Sequence, residues 1–136
     1  MSRKIFINLP VKDLDRSVGF FTALGFSFNP QFTDENATCM IVSDDIFVML
    51  LVEPFFQTFT TKPVSDARQQ SEVLLALSLD SREEVDAFVE KAVAAGATLT
   101  QPARDYGFMY QQSLADLDGH QWEPFFMAAD AVPPAT

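Results

Sequence analysis

Hydrophobic and polar positions alternate from the start of the chain. In "RKIFINLPV", residues 3–11, Ile5, Ile7, Leu9 and Val11 share one parity, and Lys4, Phe6, Asn8 and Pro10 the other. Successive side chains on a strand point to opposite faces, so the stretch predicts a strand whose aliphatic face packs on helices. The period then lengthens: Leu14, Val18, Phe21 and Leu24 recur at helical spacing, with Asp13 placed to cap the start and Gly25 to end the run. Three shorter strands are expected near 26–33, 37–43 and 46–52, the last two joined by an Asp44-Asp45 turn. The unit is β-α-β-β-β.

The same pattern returns from Val73. A strand, "VLLALSL", leads to a capping box, Ser81 with Glu84, and to helix positions Val85, Phe88, Val89 and Ala92 ending at Gly96. Strands near 97–101, 108–115 and 120–127 complete the copy, with Asp118-Gly119 as the turn before the last. An internal repeat of this kind predicts an α+β fold in a single domain spanning 1–136. Module one covers about 3–52, a linker about 53–72, module two about 73–127 and a tail about 128–136. The linker carries Phe55, Phe56 and Phe59, which need a cover, and is expected to form a short helical segment packed on the body or on a second subunit.

Composition narrows the partners. With 48% hydrophobic residues and fourteen phenylalanines, 136 residues can fill one core. Nineteen acidic against nine basic residues give a formal charge of -10, which repels nucleic acid and anionic membrane surfaces and favours cationic ligands. The longest apolar run, Ile46 to Val52, has a strand's length, so no membrane association is expected. A single cysteine, Cys39, and an N-terminus without an apolar signal core place the chain by default in the cytoplasm.

Two stretches carry a resemblance. "LPVKDLDRSVGFFTALGF" near the start and "DLDGHQWEPFF" near the end, on two β-α-β-β-β modules, resemble the vicinal oxygen chelate superfamily, to which glyoxalase, bleomycin-resistance and extradiol dioxygenase proteins belong. "YGFMY" at 106–110 resembles a glyoxalase-like branch of it. The resemblance implies curved mixed sheets around a cup-shaped cavity, and a homodimer. It also implies, for the metal-dependent members, one ligand from the first and one from the last strand of each module. Those positions fall on Phe6, Met49, Leu74 and Glu123 in this chain. Only Glu123 supplies the expected donor, so no metal or other cofactor is expected; a weak divalent site using amide oxygens of Asn8 and Gln121 is the alternative.

Strand parity gives a reading from the residues themselves. It places Phe6, Asn8, Phe47, Met49, Leu74, Gln121, Glu123 and Phe125 on the cup side, with His120 and Trp122 on the other. Tyr106 and Tyr110, flanking Gly107, are candidates to donate hydrogen bonds into the same cup. An enclosed Glu123 without a partner could pass protons, whereas pairing with Lys4, Arg104 or a cationic ligand would hold its charge. Three functions follow. The first is a metal-free small-molecule binding protein of the bleomycin-resistance type, holding an aromatic or cationic compound. The second is a glyoxalase-like lyase or isomerase with Glu123 as the catalytic base or a ligand. The third is a structural or interaction domain whose cup is a filled core.

Overall fold

The computed structural model describes residues 3–128 and contains two four-stranded mixed sheets, one per repeat. The chain divides between Asp66 and Ala67 into two units. The expected tail lies outside the described residues, apart from Ala128.

In the first unit, β1 (Ile5–Val11), α1 (Leu14–Ala23), β2 (Ser27–Asn29), β3 (Ala37–Ile41) and β4 (Ile46–Val52) follow in order, and the sheet reads β1-β4-β3-β2. β1 runs parallel to β4, pairing Phe6 with Phe47 and Asn8 with Met49. Asp13 caps α1 by accepting from the Arg16 amide at 3.1 Å. Leu9, Val11, Val48 and Leu50 are buried together with Leu14, Phe20 and Phe21 of α1, so the aliphatic parity is the core parity. Cys39 is also buried, and desolvation pushes its thiol pKa up.

β2 is shorter than the sequence suggests. Asn29 accepts from the Gln31 amide, and Pro30, which cannot donate to a ladder, opens a 3-10 turn over Pro30–Phe32. The start of the linker is helical, as expected: α2 (Glu53–Phe56) runs into a second 3-10 turn, Gln57–Phe59, and packs against β1 and β4 of its own unit. Phe55 and Phe59 meet edge to face at 5.1 Å, yet Phe59 stays 70% exposed.

The second unit repeats the plan with β5 (Leu74–Ser78), α3 (Arg82–Ala94), β6 (Thr98–Asp105), β7 (Met109–Ala115) and β8 (Gln121–Met127), in sheet order β5-β8-β7-β6. Ser81 caps α3 from the Glu84 amide, and the Glu84 carboxylate accepts from the Asp80 amide. Val85, Phe88, Val89 and Ala92 form the buried side of α3, which packs on β7 and β8. β6 is longer than expected and irregular. Its pairing with β7 shifts register between Leu99 and Gln101 and again between Gln101 and Arg104, a run that includes Pro102.

The β7–β8 connection also departs from the two-residue turn that Asp118-Gly119 suggests. Ala115 pairs with Gln121, and the Asp116 amide donates to the His120 carbonyl, which leaves Leu117, Asp118 and Gly119 as a three-residue loop. Gly119 closes it at a φ of 92°. One residue less would move every β7 side chain to the opposite face.

Candidate functional site

The first unit offers a cavity. On the face away from α1, Asn8 and Leu51 look toward the α2 segment and, with Phe56, Phe59 and Thr60, line a cavity of about 450 Å³. Its walls are mainly hydrocarbon, with an amide and a hydroxyl for direction. Asn8 donates to the Phe6 carbonyl at 3.3 Å, so its side-chain oxygen remains as an acceptor. Phe6 and Phe47 stack at 4.7 Å with an interplanar angle of 13°. Lys4 lies over the Phe47 ring at 5.6 Å while its ammonium bonds the Asp44 carbonyl and pairs with Asp45. Lys4 thereby belongs to the β3–β4 turn.

The second unit offers a polar constellation centred on Glu123, which is half-buried on β8. Its carboxylate accepts from Gln111 Nε2, Ser113 Oγ and Gln121 Nε2, each at 3.0 Å. All three donors are neutral. Arg104, opposite Gln111 in the β6–β7 ladder, stands on the same face, and the charge of Glu123 helps raise its pKa. The largest cause of that rise is the Tyr106 hydroxyl, which accepts from Arg104 at 3.3 Å; the Gln101 side-chain oxygen accepts from it as well. Gln101 and Arg104 are three residues apart, which on a regular strand means opposite faces, and the register shift between them brings them together.

Tyr110 is on the other side. Paired with Asp105 in the ladder, it sends its hydroxyl to Asp86 of α3 at 2.6 Å, and the Arg82 guanidinium sits 5.1 Å above its ring. Its pKa is raised, chiefly by the bond to Asp86. Tyr110 therefore ties β7 to α3 and does not share a face with Glu123, because it alternates with Gln111. Trp122 is buried toward α3, as parity predicts, and His120 is half-buried beside the loop instead of exposed.

The remaining expected residues are placed unit by unit. Met49 pairs with Asn8. Leu74, 56% exposed, pairs with Gln121, and Phe125 pairs with Ser78 and Gln111. Sequence reasoning passed over Gln101, Gln111 and Ser113 as site residues. β7 parity together with the loop length would have put Gln111 and Ser113 beside Glu123, whereas nothing short of the β6 bulge places Gln101.

The family's metal set does not fit. Phe6 and Leu74 have no donor atom, Met49 has only a soft thioether, and the oxygens of Glu123 are engaged by three neutral groups. Among the described residues no three His, Cys, Asp or Glu side chains come together.

Residues 3–43 match a family model described as bleomycin resistance protein-like, N-terminal. A hypothetical protein, SA1046 from S. aureus, is 30% identical, with 93% of this chain and 95% of that chain covered at a TM-score of 0.78. The chain belongs to the vicinal oxygen chelate superfamily. Two further members share its fold at lower identity. A glyoxalase/bleomycin resistance protein/dioxygenase family enzyme from Burkholderia phytofirmans PsJN is 19% identical, with 93% and 100% of the two chains covered and a TM-score of 0.78. The genomically encoded fosfomycin resistance protein FosX from Listeria monocytogenes is also 19% identical, with 96% and 98% covered and a TM-score of 0.68. No curated protein sequence matches the chain. Among the described residues no helix is long and apolar enough to cross a membrane.

Proposed function

We propose that the chain is a small-molecule binding protein of the glyoxalase/bleomycin-resistance type that works without a metal and takes a small, partly aromatic compound, cationic groups included. The observation that carries the reading is the cavity of the first unit: about 450 Å³, walled by Leu51, Phe56 and Phe59 and directed by Asn8 and Thr60. A volume of that order suits a small ligand, since such pockets run to roughly 300–1,000 Å³. Binding is favoured over turnover by the chemistry of Glu123. A lone general base contributes only about 10²- to 10⁴-fold, and this one already accepts from three neutral donors. The acidic balance supports attraction of cations. Location in the cytoplasm and pairing as a homodimer belong to the same proposal.

A thermal-shift panel of aromatic and cationic compounds on the full chain tests it. At least one compound should raise the melting temperature with its concentration. Elemental analysis of protein purified without chelator should find no stoichiometric transition metal. A bound metal, lost together with an activity in Glu123→Gln, would replace this reading with the lyase or isomerase one.

A further inference from the structure

The cavity of the first unit has two walls. Asn8 of β1 and Leu51 of β4 belong to the sheet, and Phe56, Phe59 and Thr60 to the segment that follows β4. Among the described residues none of the five lining side chains carries a charge. The two polar ones keep unused hydrogen-bonding groups. Asn8 directs one N–H to the Phe6 carbonyl, which leaves a second N–H and its side-chain oxygen. The Thr60 hydroxyl accepts from the Lys62 amide at 3.1 Å, which leaves its own proton to donate. Gln57 fixes the turn around Thr60 by donating to the Thr60 and Lys62 carbonyls at 3.0 and 2.7 Å. The cavity thus offers a neutral acceptor from one wall, neutral donors from both, and an ion from neither.

We propose that this cavity takes an uncharged end of the ligand, an aromatic ring bearing a carboxamide or a lactam, and that Asn8 and Thr60 select it. The proposal rests on the small-molecule reading above and narrows its ligand class. An amide supplies an N–H for the Asn8 oxygen and a carbonyl for the Asn8 N–H or the Thr60 hydroxyl, so no polar group on either side is left unmet. An ion is matched less well. A carboxylate would find the donors, but it would lie against the Asn8 oxygen and lose its water among Leu51, Phe56 and Phe59, with no cation in the lining. An ammonium would meet one neutral acceptor and the same hydrocarbon, with no carboxylate in the lining to offset its lost hydration. The formal charge of -10 then acts on a cationic group only where the compound projects into water.

Four probes of one shape separate the outcomes: benzamide, acetophenone, benzoate and benzylamine, titrated into the ¹⁵N-labelled full chain while the side-chain amide resonances of Asn8 are followed. Benzamide should move them saturably and bind at least about fivefold more tightly than acetophenone, which keeps the carbonyl and lacks the N–H. It should bind at least about tenfold more tightly than either ion. Asn8→Asp, which keeps the shape and puts a charge on the sheet wall, should invert the order and favour benzylamine, read by calorimetric titration. Asn8 is exposed, so the variant should fold. Equal binding of acetophenone and benzamide, an ion as the tightest probe of the wild type, or an order unchanged in Asn8→Asp would overturn the amide site and leave the small-molecule reading standing. Silence from all four probes would overturn the amide site, and with a blank thermal-shift panel the small-molecule reading also falls.

Discussion

The indole Nε1 of Trp122 donates to Asp116 Oδ2 at 3.0 Å inside the hairpin that presents Glu123. The other oxygen of Asp116 accepts from the amides of Asp118 and His120, each at 3.0 Å. One buried carboxylate therefore fixes the three-residue loop and the tryptophan together, and with them the parity of β7 and β8. Asp116→Ala should strand one buried and two part-buried donors and cost about 2–4 kcal/mol. Trp122→Phe removes one donor and should cost about 1–2 kcal/mol. Urea unfolding of the two single variants and the double one should give a coupling energy well above zero. Additive losses would mean that the pair is incidental.

Two glycines should respond to alanine with opposite signs. Gly119 sits at a φ of 92°, and an added Cβ would lie 2.8 Å from the Arg68 backbone nitrogen and 2.9 Å from the Ala67 carbonyl carbon. Gly119→Ala should destabilise by about 1–3 kcal/mol through backbone strain and that contact. Gly19 lies within α1 with nothing near its Cβ position. Alanine there should stabilise by roughly 0.5–1 kcal/mol, the helix-propensity difference. Thermal unfolding of both variants decides the signs.

The Arg82–Asp105 pair sets a low-pH limb of stability. The guanidinium of Arg82 and the Gly107 amide hold the Asp105 pKa down, from 3.8 to about 2. A folded-state pKa below the unfolded one contributes stability that is present above 3.8 and lost as pH falls toward about 2. Both partners are exposed, so the effect is small and weakens with salt. Asp116 behaves in the opposite sense. Burial raises its pKa, so its contribution is complete below 3.8 and lost as pH rises through the folded value. An NMR titration of the side-chain carboxyls should show Asp105 moving back up in Arg82→Gln while Asp116 stays raised.

Much of this arrangement was legible in the sequence because it rests on period and capping. The parity of Ile5–Val11, the cap at Asp13, the capping box at Ser81 and the whole of β4 came from local patterns that the structure keeps. Glu123 and Trp122 were assigned to opposite faces on the same ground. What sequence pattern missed depends on features that break the period. Pro30 cuts β2 short by opening a 3-10 turn. The bulge between Gln101 and Arg104 puts two residues of opposite parity on one face. The segment "YGFMY", entering the last hairpin, makes Tyr110 a candidate to donate into the cup, yet its hydroxyl finds a partner elsewhere. That partner is Asp86, on a helix whose position no local pattern of "YGFMY" reveals. The β7 donors to Glu123, Gln111 and Ser113, are hidden for a further reason: an Asp-Gly pair suggests a two-residue turn, and the loop has three.

Phe59 separates stability from binding in the first unit. It is 70% exposed, touches Phe55 edge to face at 5.1 Å, and lines the cavity with Asn8. Burying so little of its own surface, it contributes little to folding, and Phe59→Ala should change the unfolding free energy by less than about 1 kcal/mol. An aromatic ligand in the cavity would meet its ring. Losing an aromatic contact worth about 0.5–1.5 kcal/mol should weaken such a ligand roughly 2- to 10-fold. Leu51, 2% exposed on the opposite wall, is the contrast: Leu51→Ala should cost about 2–5 kcal/mol of stability. Calorimetric titration of whichever aromatic compound the thermal-shift panel selects, with wild type and Phe59→Ala compared at matched folding, reads the difference. Unchanged affinity in Phe59→Ala would move the aromatic contact away from this cavity.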